Sequence, residues 1–278
     1  MAPSTNPESA PACALSCAVG LLDVGQLEAE RYTSLLSAQE RAKYSTLPAR
    51  RRKEEWLAGR LAAKHIFLNR LEPSEASMGP QWRPTLTVLT PEALSTYSPW
   101  MYRQVEVLSS DGRPRLVWCG TERRESISLS HAGGVSCASI AAGVDTAIDI
   151  ETSAPRVGAF YRNSFTAAER AWAHAEAGGE SGRSNWYFTL LWTLKESVLK
   201  LGWLKQAGVW EIPRIEIDGL PGFNHTGPFW SKSTIGNDFL VFTARVKEAC
   251  RVMQVQVAVS GTRNFVLTVM NPRSGVSK

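Results

Sequence analysis

The sequence predicts an α+β fold built on antiparallel sheets. Three observations point there. Two helix-capping signals open helical stretches separated by strands. A hairpin pattern lies between them at 126–142, and the chain closes in a run of strands joined by short turns.

Taken in order, the apolar residues 12–22 read as a first strand behind a disordered Pro/Ser/Ala tail at 1–11. They do not form a signal-peptide core, because no Lys or Arg precedes them, Glu8 does, and Asp23 ends them. Ser37 and Glu40 have capping-box spacing, so a short helix should run through Lys43. Pro48 suits the start of a longer helix to about Asn69, with Leu57, Leu61, Lys64 and Leu68 along one side. Residues 72–97, punctuated by Pro73, Pro80, Pro84 and Pro91, read as an irregular surface excursion, with order returning near 104–108.

Residues 126–130 and 135–142 form the hairpin around the turn-like His131-Ala132-Gly133-Gly134. From Ala147 to Glu151 the chain alternates, Ile148 and Ile150 facing one way, Asp149 and Glu151 the other. Thr166 and Glu169 make a second capping box, opening a helix that Gly178 and Gly179 close. The strongest helix spans 185–201, its buried stripe being Leu190, Leu194, Val198 and Leu201. Strands follow at 212–217, 239–246, 254–259 and 265–269. No internal repeat and no Gly-rich phosphate loop is visible.

Length allows one large domain or two modest ones, and 44% hydrophobic with 21% charged residues is ordinary for a soluble protein. The net charge of +5 favours acidic partners without demanding one. A nucleic-acid binder is disfavoured, because Arg50-Arg51-Arg52-Lys53 sits on one amphipathic helix and Glu54-Glu55 interrupts it. Five scattered cysteines fit thiols in a reducing cytoplasm better than a zinc knot. No apolar run is long enough to span a bilayer, so no membrane partner is expected.

Two features carry chemistry. In Asp149-Ile150-Glu151 the carboxylates at i and i+2 project from one strand face and can converge on a cation, although two solvated surface acids have the same spacing. In the stretch 192–200, Trp192, Glu196 and Lys200 recur every four residues on one helix face, a spacing that a surface salt bridge also uses.

Together these residues resemble the Sfp-like family of 4′-phosphopantetheinyl transferases, the large, monomeric class. Its acid-x-acid strand is matched by Asp149 and Glu151, and its W-x-x-K-E-x-x-x-K helix by Trp192, Lys195, Glu196 and Lys200. A G-K-P-like turn is echoed by Gly112-Arg113-Pro114, and an S-H pair by Ser130-His131. The likeness runs from about Leu21 to the final strands. Departures are Ala147 in place of the usual glycine, Arg113 in place of lysine, and Glu40 at one of two early basic positions, where Lys43 matches the other and Arg41 is a substitute.

The resemblance implies two similar α/β subdomains in a pseudo-twofold arrangement, each a small antiparallel sheet packed by a long helix. The subdomains would be 12–142 and 143–278, with coenzyme A in the cleft between them. It implies transfer of phosphopantetheine from coenzyme A to a serine of apo acyl and peptidyl carrier proteins. By resemblance Asp149, Glu151 and Glu196 bind Mg²⁺ (or Mn²⁺), Glu196 is the leading general base with Glu151 the alternative, and Lys200 assists the leaving group. Lys43, Arg60, Arg113, Pro114, Ser130, His131 and Lys195 would bind coenzyme A. Phe160 to Phe165 with Arg156 and Arg162 are candidates for carrier-protein docking. A non-catalytic coenzyme A or nucleotide-binding paralogue is the alternative.

Overall fold

The computed structural model describes residues 17–71, 84–110, 112–202, 209–223, 239–248, 251–262 and 264–272. The expected tail at 1–11 lies outside them. The first half comprises β1 (Cys17–Asp23), α1 (Ala29–Tyr32), α2 (Ala38–Ser45), α3 (Arg50–Leu71), β2 (Pro84–Leu89), α4 (Pro99–Gln104), β3 (Val105–Ser110), β4 (Arg113–Trp118), β5 (Thr121–Glu122), β6 (Ser126–Ala132) and β7 (Val135–Ala141). The second comprises β8 (Ala147–Thr152), α5 (Gly158–Ser164), α6 (Ala167–Ala177), α7 (Ser181–Lys200), β9 (Glu216–Asp218), β10 (Leu240–Glu248), β11 (Arg251–Gly261) and β12 (Phe265–Pro272).

The fold is α+β, as the order of signals predicted. Sheets run β2-β1-β7-β6, β8-β12-β11-β10-β9 and β3-β4-β5. Long helix α3 packs on the first and α7 on the second, each over its own apolar cluster. A third cluster, with Val19, Ile140's neighbour Ala141, Ile148, Ile150 and Leu267, joins the two large sheets.

Between those sheets the seam is made by side chains. Ser126, Ser128 and Ser130, at alternate positions of β6, accept hydrogen bonds from the backbone N–H groups of Thr146 (3.0 Å), Ile148 (3.1 Å) and Ile150 (3.4 Å). The period of two places all three hydroxyls on one face, so they satisfy the edge of β8 where a strand partner would otherwise be needed. This seam fixes the acid-x-acid strand directly beside the Ser130-His131 pair.

Both capping boxes form as predicted, and both acids do more than cap. Glu40 Oε2 accepts from the backbone N–H of Ser37 and from Lys64 Nζ at 2.5 Å, while Oε1 accepts from Val107 N–H; Lys64 also donates to the carbonyl of Leu35. Glu169 repeats this: Oε2 accepts from Thr166 N–H and from Lys195 Nζ at 2.8 Å, Oε1 accepts from Ile217 N–H, and Lys195 donates to the carbonyl of Ser164. Arg41 and Arg170 each donate to the carbonyl five residues back, at Leu36 and Phe165. Each buried acid thus ties a capped helix, the long helix and a strand together, and both lysines are fully buried. A repeat invisible in the residue string is explicit in these hydrogen bonds.

Several expectations are corrected. Sheets are not purely antiparallel, because β2 pairs parallel to β1, from Cys17–Pro84 to Leu22–Leu89. That strand lies inside the expected irregular excursion, whose prolines mask the burial of Leu86 and Leu89; residues 72–83 lie outside the described set. α4 follows with Ser98 as N-cap and Pro99 in its first turn. α7 starts at Ser181, not 185. Of the strand expected at 212–217, only Glu216–Asp218 pairs, because a 3-10 segment with Pro213 inside occupies Val209–Arg214.

One close approach is specific. Gly20 of β1 faces α3 so tightly that a Cβ there would stand 2.8 Å from Ile66 Cγ2 and 3.1 Å from the carbonyl oxygen of Ala62. Gly20→Ala is expected to cost about 1–3 kcal/mol by forcing α3 off the sheet, measurable as a lower midpoint in urea at unchanged slope.

Candidate active site

The seam brings β8 and the C-terminal half of α7 together. Asp149 is buried, and its Oδ1 accepts from the Ser130 hydroxyl at 2.7 Å and from Lys200 Nζ at 2.7 Å. Lys200 also donates to the Ile148 carbonyl at 3.0 Å. Among the described residues, Asp149 Oδ2 is buried without a hydrogen-bond partner. A buried carboxylate oxygen with nothing to accept is costly, and a hard cation is one group that would satisfy it.

Glu151 and Glu196 complete the cluster. Burial chiefly, then the charge of Asp149, pushes the Glu151 carboxyl above the ordinary carboxylate range, while Arg156 and the Trp192 indole pull it back. Burial, then Asp149 and Glu151, likewise raise Glu196, with Lys200 opposing. Two glutamates whose ionisation is opposed, beside a third carboxylate at Asp149, suit an oxygen-ligated divalent cation. Their chemistry fits, although among the described residues no three His, Cys, Asp or Glu side chains close around one point as they stand. Asp149 is turned to Lys200 and Glu151 to Arg156, the latter at 3.1 Å.

Two cavities meet at Lys200. The larger, about 800 Å³, is lined by Arg113, Pro114, Arg123, Arg124, Glu196 and Lys200 among others. The smaller, about 420 Å³, is lined by Arg52, Trp56, Arg60, Ser130, His131 and Lys200 among others. Ser109 and Leu129 also belong to both, so the two form one cleft between α3, β4, β6 and α7. Glu55, Glu122, Glu125 and Asp145 line it too, and Glu122 and Glu125 pair with Arg115 and Arg123, so the walls carry a modest excess of positive charge.

Arg60 is 8% exposed, its guanidinium stacked 3.5 Å over the Trp56 ring, and its Nε has no partner among the described residues. Burial lowers it to about 10, which leaves it charged at neutral pH. His131 Nε2 lies 2.6 Å from Arg52 Nη1 and 3.8 Å from Glu55 Oε2. Arg113 reaches from β4 to the end of α7, where a Cβ at Gly202 would overlap its guanidinium. The structure therefore gathers Arg60, Arg113, Pro114, Ser130, His131, Glu196 and Lys200 along one cleft, with Asp149 behind it on Ser130 and Lys200 and Glu151 joined through its neighbours.

Lys195 is not among them. It is fully buried against Glu169, Ser164 and Phe165, because it faces the core side of α7 while Glu196 and Lys200 face the cleft. Nor is Lys43, which is exposed on α2 and lines neither cavity. Glu40 and Arg41 are committed to the buried pair with Lys64 and to the Leu36 carbonyl. Ser130 spends its hydroxyl proton on Asp149, a positioning contact. Of the docking candidates, Phe165 is buried, Phe160 packs on the core and Arg156 is paired to Glu151, which leaves Arg162 exposed. Arg52, Arg123, Arg124 and the Ser126-x-Ser128-x-Ser130 pattern were missed; only the last had a readable signal, its period of two.

Residues 145–221 match the family model described as the 4′-phosphopantetheinyl transferase superfamily. That segment holds Asp149, Glu151, Trp192, Glu196 and Lys200. No curated protein matches the chain. Sixteen solved chains do. Among them is holo-[acyl-carrier-protein] synthase of Thermotoga maritima, 21% identical over 54% of this chain and 74% of that one, with a TM-score of 0.30. So low a score lends that likeness no weight. Among the described residues no helix is long and apolar enough to cross a membrane.

Proposed function

We propose that this chain, whose residues 145–221 match the 4′-phosphopantetheinyl transferase superfamily, moves the 4′-phosphopantetheine group of coenzyme A onto a serine of apo acyl and peptidyl carrier proteins. Adenosine 3′,5′-bisphosphate is the leaving product and Mg²⁺ the cofactor. One observation carries the reading: Lys200, at the junction of the two cavities, donates to buried Asp149, with Glu196 on the wall of the larger cavity and all three inside the matched segment.

The chemistry asks for positioning and charge neutralisation more than covalent help. Asp149, Glu151 and Glu196 are the residues that would hold the Mg²⁺; bound there, it neutralises pyrophosphate charge. Glu196 accepts the proton of the carrier serine as its oxygen attacks the β-phosphorus of coenzyme A. The bond from that phosphorus to the bridging oxygen breaks, and the bisphosphate leaves with the bond pair. Lys200, at the meeting point of both cavities, offsets the charge that develops on it. Arg60 and His131 hold the 3′-phosphate, Arg60 through its unpartnered Nε, while Arg113 and Pro114 wall the larger cavity. Ser130 fixes the rotamer of Asp149.

The repeated Glu–Lys ties support reading the chain as two similar halves dividing near Gly143. We read it as a monomer.

Intact-mass measurement of an apo carrier protein incubated with the chain, coenzyme A and Mg²⁺ tests the proposal. One added phosphopantetheine is expected, abolished by EDTA and restored by Mg²⁺. Folded protein that binds coenzyme A yet modifies no acyl or peptidyl carrier would instead establish the non-catalytic paralogue.

A further inference from the structure

We propose that Arg156 is an internal counter-cation of the carboxylate cluster, one that a divalent cation must displace from Glu151, so that Arg156 sets the concentration at which the site loads. The inference rests on reading the cluster as a cation site.

Arg156 stands on the connection between β8 and α5. Its Nη2 lies 3.1 Å from Glu151 Oε2. The side chain is braced: its guanidinium sits 4.8 Å from the Phe160 ring centroid and 5.8 Å from that of Trp192. Its backbone N–H donates to the Tyr161 hydroxyl at 2.9 Å, and that hydroxyl donates to Asn185 of α7 at 3.0 Å. An aromatic shelf and an anchored backbone hold the charge against Glu151 with little freedom to lose, unlike a swinging surface arginine.

The pair is nevertheless open on one side, with 33% of the Arg156 side chain exposed, so the guanidinium can leave Glu151 without entering the core. The pattern around the cluster is consistent. Lys200 answers Asp149 and Arg156 answers Glu151, so two of the three acids are paired to resident cations. A divalent ion bound by the same carboxylates must overcome the repulsion of a fixed positive charge and break its ion pair. Lys200 is assigned to the leaving group and lines the cleft; Arg156 lines neither cavity, which leaves its charge to tune loading.

Titration of the full chain with Mn²⁺, read by the electron paramagnetic resonance signal of free Mn²⁺, tests this without any assay of transfer. Wild type, Arg156→Gln, Arg156→Met, Arg156→Lys and Asp149→Asn would be compared, each checked for folding by thermal melting. Met keeps an unbranched stem on the aromatic shelf should Gln disturb it. Arg156→Gln or Arg156→Met should bind roughly threefold to tenfold more tightly than wild type, Arg156→Lys should stay near wild type, and Asp149→Asn should lose the site. Unchanged or weaker affinity in both neutral variants, with Asp149-dependent binding intact in wild type, overturns the role of Arg156 alone. Absence of any Asp149-dependent Mn²⁺ binding in wild type overturns the cation-site reading and this inference with it.

Discussion

Glu196→Gln should lower the turnover of phosphopantetheine transfer by about 100- to 10,000-fold, the range associated with loss of a general base. The amide keeps the shape of the carboxylate but has a donor NH₂ in place of one acceptor oxygen and cannot take the proton of the carrier serine. In the metal-free chain burial, Asp149 and then Glu151 lift the Glu196 pKa above the ordinary carboxylate range, and a bound divalent cation would draw it down again. Wild-type activity should fall as pH drops, because protons on Glu151 and Glu196 compete with the divalent cation for the same carboxylates.

Stability should move the other way. A carboxyl whose folded pKa is raised favours the fold most below its unfolded pKa, and that contribution is lost as pH rises through the folded value. At neutral pH the ionised Glu196 therefore strains the metal-free protein, and Glu196→Gln should melt roughly 2–4 °C higher in EDTA. A variant that is more stable and inactive separates chemistry from unfolding. Full turnover by Glu196→Gln would remove it from the mechanism.

Lys195→Ala should destabilise the fold by about 3–5 kcal/mol, since it strands a buried carboxylate at Glu169. In a chain of this size that corresponds to a melting point roughly 6–20 °C lower. Lys64→Ala should behave alike, because Lys64 and Glu40 make the same tie in the other half. Replacing both partners, as in Glu169→Leu with Lys195→Met, should cost less than losing Lys195 alone, because neither charge is then buried unpaired. If Lys195 instead gripped pyrophosphate, Lys195→Ala would leave melting unchanged and raise the KM for coenzyme A. Unaltered melting would therefore return Lys195 to the cleft.

Local chemistry made much of this molecule legible. Ser37-x-x-Glu40 and Thr166-x-x-Glu169 announce helix starts because a capping box needs only neighbours in sequence. Asp149 and Glu151 share a strand face, and Glu196 and Lys200 a helix face, by period alone. The fold class followed from the order of such signals. Strand β2 and the three-stranded sheet β3-β4-β5 were hidden, because their pairing depends on partners and the proline-rich stretch suggested loop.

What the sequence by itself determined is therefore the inventory: an α+β chain with an acid-x-acid strand and a helix bearing Trp192, Glu196 and Lys200. Which neighbours those residues acquire was decided by tertiary structure. Lys195 and Glu196 are adjacent, yet one is sealed against Glu169 and the other faces the cleft. Helical period separates their directions but cannot say which direction is core, because that depends on an acid contributed by α6. The same holds for Glu40, whose place suggested a lost basic contact until Lys64 and the Val107 N–H were seen to need it. A buried charge is stable only beside its partner, and partners distant in sequence are chosen by packing.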